Sequence, residues 1–200
     1  EFGQKCGIPI KTANYSSEDG TFNSDNEYLT IINTARVKRM DLLEYYDSRK
    51  NIIDIERNTL FLLAEELERF KKEKGLKDFT DLLEDFIAKS LPGSLEVLFI
   101  DEAQDLSLIQ WEMVRHLWKY AKKTYIAGDD DQAIFKWAGA DVDHFIALKE
   151  EVNDIKVLDQ SYRIPGGPIH ELSQKIINKV QNRFEKEYKP RDEIGLLKRY

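Results

Sequence analysis

The stretch Val97-Leu98-Phe99-Ile100-Asp101-Glu102-Ala103-Gln104-Asp105 runs from an unbroken apolar segment straight into two adjacent carboxylates. A short apolar run of this kind reads as a strand buried on both faces of a parallel sheet. The pattern continues downstream. A helix is expected from about Leu108 to Ala121, and a second apolar strand over Thr124 to Ala127. A helix over Val142 to Glu150, a third strand over Ile155 to Leu158 and a helix after Pro165 follow. Strand-helix-strand alternation at this spacing predicts an α/β unit built on a parallel sheet.

Upstream the texture differs. Asp78-Phe79-Thr80-Asp81 opens a helix through about Lys89, closed by the turn Pro92-Gly93. Before it, Ile55, Leu60, Leu63, Leu67 and Phe70 mark one face of a helix over Ile52 to Lys74, with Gly75 as its C-terminal cap. Lys71, Lys72 and Lys74 read as the solvated end of that helix, where cations suit the dipole. Ser24 followed by Glu27 has the capping-box pattern, and Leu29, Ile32, Val37, Met40 and Leu43 recur behind it as one helical face. Residues 1–23 read as loop with room for one short helix. The first ~75 residues are therefore expected to be all-helical.

Composition bounds the function. The 200 residues are 42% hydrophobic and 34% charged, with a net charge of -7. Three Trp, nine Tyr and ten Phe are too many for a disordered chain. No apolar run approaches the ~20 residues of a membrane span, and no charged-then-apolar leader opens the chain. The single cysteine, Cys6, excludes an intrachain disulfide framework and a Cys-rich zinc site, which suits a reducing, intracellular setting. His116, His144 and His170 show no metal-ligand spacing. The acidic balance argues against coating nucleic acid by bulk charge, but leaves room for a local binding groove.

Chemistry is expected at the strand ends, where open α/β sheets bind ligands. Asp101 and Glu102 either hold a hydrated Mg²⁺ and activate a water, or stand at a strand-to-helix junction capped by Asp105 or Ser107. Gly128-Asp129-Asp130-Asp131-Gln132 is either a solvated turn or a calcium loop, and the calcium reading fails because the D-x-D-x-D-G ligand spacing is absent. In Ala133-Ile134-Phe135-Lys136-Trp137-Ala138-Gly139, the Trp belongs to the core or stacks on a base beside a phosphate-binding Lys. Arg163, in Gln160-Ser161-Tyr162-Arg163, pairs with an acid or reaches a γ-phosphate.

Taken together and in order, Ile100-Asp-Glu-Ala-Gln-Asp105, Gly128-Asp-Asp-Asp-Gln-Ala-Ile-Phe-Lys-Trp-Ala-Gly139 and Gln160-Ser-Tyr-Arg163 resemble motifs II, III and IV of the UvrD/Rep-like superfamily 1 DNA helicases. The likeness is close from Asp78 to Arg163 and looser elsewhere. It implies an incomplete RecA-like parallel sheet with flanking helices, preceded by an all-helical insertion subdomain. Residues 1–77 would be 1B-like, 78–159 the second half of RecA-like domain 1A, and 160–200 the start of domain 2A. Gly167 to Arg183 would form the first helix of that domain, and Leu196-Leu197 the start of its next strand. The resemblance further implies ATP and Mg²⁺ as cofactors and single-stranded DNA, or a single/double-strand junction, as partner. Asp101 would hold Mg²⁺, Glu102 would be the general base, and Gln132 and Arg163 would touch the γ-phosphate. Tyr162 would stack on adenine. Trp137, with Lys136 and Phe79, would contact DNA. Ala138 stands where the family often has arginine, and Phe135 where tyrosine is more usual.

A motor of this class also needs the phosphate loop G-x-x-x-x-G-K-[ST]. The Lys11-Thr12 pair does not supply it, because Ile10 and Lys5 occupy the two glycine positions. The expectation is an internal piece of a longer helicase that hydrolyses ATP negligibly by itself. The other class is a non-enzymatic, helicase-like nucleic-acid-binding or scaffold protein.

Overall fold

The computed structural model describes residues 2–7, 13–15, 22–24 and 26–198. Lys11-Thr12 lies outside them. The chain divides into two compact units, Glu1–Gly128 with Ile134–Asp141, and Asp129–Ala133 with Val142–Tyr200. Among the described residues no helix is long and apolar enough to cross a membrane.

The first unit begins with α1 (Phe2–Cys6), β1 (Ala13–Tyr15) and β2 (Phe22–Ser24). The two strands pair antiparallel, Asn14 opposite Asn23, so the expected all-helical stretch contains a short sheet. Four helices follow: α2 (Glu27–Val37), α3 (Leu42–Arg49), α4 (Arg57–Lys74) and α5 (Phe79–Lys89). Asn26, not Ser24, caps α2, its Oδ1 accepting from Tyr28 N–H at 3.0 Å and Leu29 N–H at 3.3 Å. Ser24 itself is drawn into β2. The periodicity from Leu29 to Leu43 spans two helices, because Arg39 turns to φ 53° and Asp41 caps α3 anew.

Helix α4 starts later than expected, at Arg57, where the Glu56 side chain accepts from Asn58 and Thr59 N–H. It ends as expected at Gly75, whose φ of 63° a side chain would resist. A core of Phe2, Leu29, Ile32, Ala35, Tyr45, Leu60, Leu63 and Phe70 joins α1 to α4.

Lys71 is no solvated lysine. It is buried, and its Nζ reaches Glu68 at 2.6 Å, Asp81 at 2.9 Å and Asp78 at 3.0 Å. Arg36 closes the cluster, bonding Asp78 at 2.7 Å, Asp81 at 2.5 Å and Glu84 at 3.2 Å. Burial opposes the Arg36 charge, yet these three carboxylates outweigh it and raise its pKa. Asp78 and Asp81 also form the capping box that opens α5, so cap and ion cluster are one construction.

The α/β part consists of β3 (Leu95–Ile100), α6 (Leu108–Trp118) and β4 (Ala121–Ile126), with β3 and β4 parallel and Phe99 opposite Tyr125. Helix α6 packs on both strands and buries Ile109, Trp111 and Val114. The strand β3 is not buried on both faces. Leu98 and Ile100 are half-buried, whereas Val97 and Phe99 are exposed, with Phe99 stacked on Tyr125 at 5.2 Å.

The second unit holds α7 (Val142–Ala147), β5 (Gln160–Gly166), α8 (Pro168–Ile177) and β6 (Lys189–Ile194). No strand forms over Ile155 to Leu158. The ladder starts at Gln160, opposite Lys189, and is parallel and irregular as far as Gly166 opposite Ile194. Ile155, Val157 and Leu158 give this segment its apolar character, but a strand needs a partner, and the paired backbone begins two residues later. Likewise the next strand lies at Lys189–Ile194, before Leu196-Leu197, and α8 ends well short of Arg183. The α/β class stands.

Candidate functional site

Strand β3 delivers Asp101 and Glu102 to its carboxyl end, and both are exposed. The Glu102 N–H donates to Asp101 Oδ1 at 3.0 Å. Glu102 adopts φ 50°, ψ 40°, a left-handed conformation that costs a branched or long side chain about 1 kcal/mol or more. Surrounding bonds hold it there. Ala103, fully buried, donates its N–H to Ala127 O at 3.0 Å, and Ala127 N–H returns to Ile100 O at 2.8 Å. Gln104, only 1% exposed, donates its amide to Glu102 Oε2 at 2.8 Å and to Asp105 Oδ2 at 3.4 Å. A buried amide donor thus fixes one oxygen of the Glu102 carboxylate. The role of Gln104 is not legible in the sequence, because a glutamine between acids carries no signal of burial.

Ser107 caps α6, as the strand-to-helix junction reading expected, with Gln110 Oε1 accepting from the Ser107 N–H and hydroxyl, each at 2.8 Å. Capping and exposed carboxylates coexist, since the two acids precede the cap by several residues. Among the described residues no cluster of three or more His, Cys, Asp or Glu could hold a metal by itself. A single exposed carboxylate at Asp101 fits Mg²⁺ of the kind bound by one side chain, nucleotide oxygens and water.

The segment Ile134–Asp141 returns to this same junction. Ala140 bridges Ser107, and Asp141 N–H donates to Leu106 O at 2.9 Å. Within it a single helical turn, Lys136–Ala138, presents Trp137 with 59% of its surface exposed, so Trp137 is not a core residue. The turn closes through Gly139 at φ 113°, where a Cβ would lie 2.7 Å from Val37 Cγ2. Lys136 is exposed beside it. Phe79, the first residue of α5, is 44% exposed in the same unit.

The other expected residues belong to the second unit. Gln132 is exposed and donates its amide to Asp129 Oδ2 at 2.7 Å. Tyr162 and Arg163 project from β5, Tyr162 with 81% of its surface exposed.

The three acids beside Gln132 are not a solvated turn. Asp131 takes Arg183 at 2.8 and 2.6 Å. Asp130 accepts from Phe184 N–H at 2.6 Å and pairs closely with Lys186. Asp129 takes Lys186 at 2.8 Å and the Tyr188 hydroxyl at 3.0 Å. Burial pushes the Asp129 carboxyl up, but Gln132, Lys186 and Tyr188 outweigh it and hold it below the ordinary carboxylate range. Burial and the Asp129 charge together push Tyr188 up to about 12. Up to 59 residues separate these partners, a distance no local pattern reports. His170 and His116 are structural, donating Nε2 to Tyr188 O at 3.0 Å and Ser90 O at 2.8 Å.

Residues 8–153 match the UvrD/REP helicase N-terminal domain family. The chain is 30% identical over 106 residues to the ATP-dependent DNA helicase Rep of Escherichia coli, covering 48% of this chain and 16% of that protein. It is 33% identical over 134 residues to the RecBCD enzyme subunit RecB of Buchnera aphidicola, covering 58% and 11%. It is 27% identical over 128 residues to the ATP-dependent DNA helicase PcrA of Staphylococcus epidermidis, covering 58% and 18%. The chain therefore spans less than a fifth of the length of these relatives. With most of its length matched and the motif residues standing at strand ends, the chain belongs to the UvrD/REP helicase N-terminal domain family.

Proposed function

We propose that this chain is part of an ATP-dependent DNA helicase or translocase that couples Mg-ATP hydrolysis to movement on single-stranded DNA. The observation that carries the reading is the β3 terminus, where Glu102 is exposed in a left-handed conformation and held through Oε2 by the buried Gln104 amide. A carboxylate held at one oxygen keeps the other for a water proton. In the step, water oxygen attacks the γ-phosphorus, the bond to the β-γ bridging oxygen breaks, and the proton passes to Glu102. Asp101 would hold Mg²⁺, which would supply charge neutralisation on the phosphates. Gln132 and Arg163 address the γ-phosphate, Tyr162 stacks on adenine, and Trp137, Lys136 and Phe79 hold the strand.

In this reading 1–77 is the insertion subdomain, 78–159 belongs to RecA-like domain 1A, and 160–200 opens domain 2A. The setting is the bacterial cytoplasm, where ATP and DNA meet. Junctions of single and double strand are the expected substrates.

Two measurements test it. Oligo-dT should quench Trp fluorescence, and Trp137→Ala should weaken binding at least tenfold, in line with about 1–3 kcal/mol per stacked base. Unchanged affinity removes the stacking role. The 200-residue chain should turn over ATP negligibly, because none of its residues forms a G-x-x-x-x-G-K-[ST] loop. Turnover that disappears in Glu102→Gln would contradict that.

A further inference from the structure

We propose that Lys38 and Arg49 extend the Lys136–Trp137 loop into a binding track for the phosphodiester backbone of single-stranded nucleic acid. The inference rests on the reading of Trp137 as a base-stacking residue and adds two residues that lie outside every motif.

The geometry begins at Val37. Its Cγ2 stands 2.7 Å from the position a Cβ would take on Gly139, so the end of α2 lies against the loop that carries Trp137. Lys38, the next residue, caps α2. Arg49 ends α3 in the same unit, with its guanidinium 5.8 Å from the Tyr45 ring centroid. Lys5, Arg36, Arg39, Lys71, Lys77 and Lys122 of this unit each have a carboxylate partner. Lys38 is half-buried, and its ammonium has no hydrogen-bond or ion-pair partner among the described residues.

Its surroundings sharpen the point. Burial, then the charges of Arg49 and Lys136, lower the Lys38 pKa, and Asp141 offsets them only in part. Two cations against one acid, around a partly desolvated ammonium, are an unfavourable arrangement until an anion arrives. The exposed Trp137 ring, on the loop that packs against Val37 next to Lys38, selects the kind of anion. An aromatic face next to a row of cations matches a nucleotide chain, which offers a base for the ring and a phosphate for the charge. An acidic peptide supplies the charge but no base.

The experiment titrates fluorescein-labelled oligo-dT with the 200-residue chain at several salt concentrations. Each phosphate neutralised on a single strand contributes a slope of about −0.7 in log affinity against log salt. Lys38→Gln with Arg49→Gln should flatten the slope by roughly 1.4 and weaken binding several-fold at low salt. Lys38→Met keeps the apolar stem and should lose about half of that change, which guards against a packing artefact. Lys72→Gln with Lys74→Gln, on the last turn of α4, should leave the slope unaltered.

An unchanged slope in the Lys38/Arg49 variant, with Trp137→Ala still weakening binding, overturns this inference alone. No binding of oligo-dT by the native chain overturns both it and the stacking reading. An equal loss in the Lys72/Lys74 variant shows bulk charge and overturns the track. Poly-glutamate displacing oligo-dT at equal charge concentration places an acidic protein there instead.

Discussion

Arg183 grips Asp131 with two parallel bonds, Nε to Oδ1 at 2.8 Å and Nη2 to Oδ2 at 2.6 Å. Only 12% of the Arg183 side chain and 7% of the Asp131 side chain are exposed. Lys186 binds the same run of acids, so the loop bearing Gln132 is fastened to the segment that follows α8. Removing one partner strands the other's charge in a poorly solvated place.

Arg183→Ala should therefore destabilise the second unit by about 2 kcal/mol, the scale of a lost charged hydrogen bond. Arg183→Lys should recover less than half, since an ammonium cannot make the paired bonds. Urea unfolding followed by far-UV circular dichroism checks both. A change below about 0.5 kcal/mol would mean that Lys186 alone suffices.

Acid should act through two carboxyls. Burial raises Asp81, but Lys71, the Asp78 backbone and Arg36 outweigh it, so both Asp81 and Asp129 ionise below their ordinary value. A carboxyl with a depressed folded pKa adds stability above its unfolded value, and loses it as pH falls through the folded one. The urea midpoint should hold from pH 8 to about 5 and drop below about 4. Asp129→Asn should be less stable at pH 7 and show a shallower acid limb.

Gly139→Ala should cost about 1–3 kcal/mol, because φ 113° resists a side chain and the new Cβ would meet Val37. Adding Val37→Ala should restore only the steric part. The same variant should weaken oligo-dT quenching, since Gly139 closes the turn that presents Trp137. Thermal unfolding and fluorescence titration on one preparation separate the two effects.

Arg36→Ala removes the guanidinium shared by Asp78, Asp81 and Glu84. Because Asp78 and Asp81 also cap α5, the loss should reach about 2–3 kcal/mol, beyond that of a surface pair. Exchange of the first α5 amides should accelerate with it. Arg57→Ala, on the exposed start of α4, is the control and should change little.

The sequence by itself determined the features whose cause is local. Gly75 ends α4 because the left-handed cap needs only its own backbone, and Asp78 with Asp81 opens α5 within a single turn. The parallel β3-α6-β4 unit followed from apolar runs at fixed spacing, and the acids at its end from their place after the strand. Features set by distant partners waited for the tertiary structure. Nothing near Lys71 announces Asp78 and Asp81 across the Gly75 turn, and nothing in Asp129-Asp130-Asp131 announces Arg183, Lys186 and Tyr188. The strand expected at Ile155 to Leu158 gave way to Gln160–Gly166, because apolar character marks what prefers burial and a ladder requires a backbone to pair with. Side-chain type and spacing write local conformation, while ion-pair partners and strand register depend on which distant segments the fold brings together.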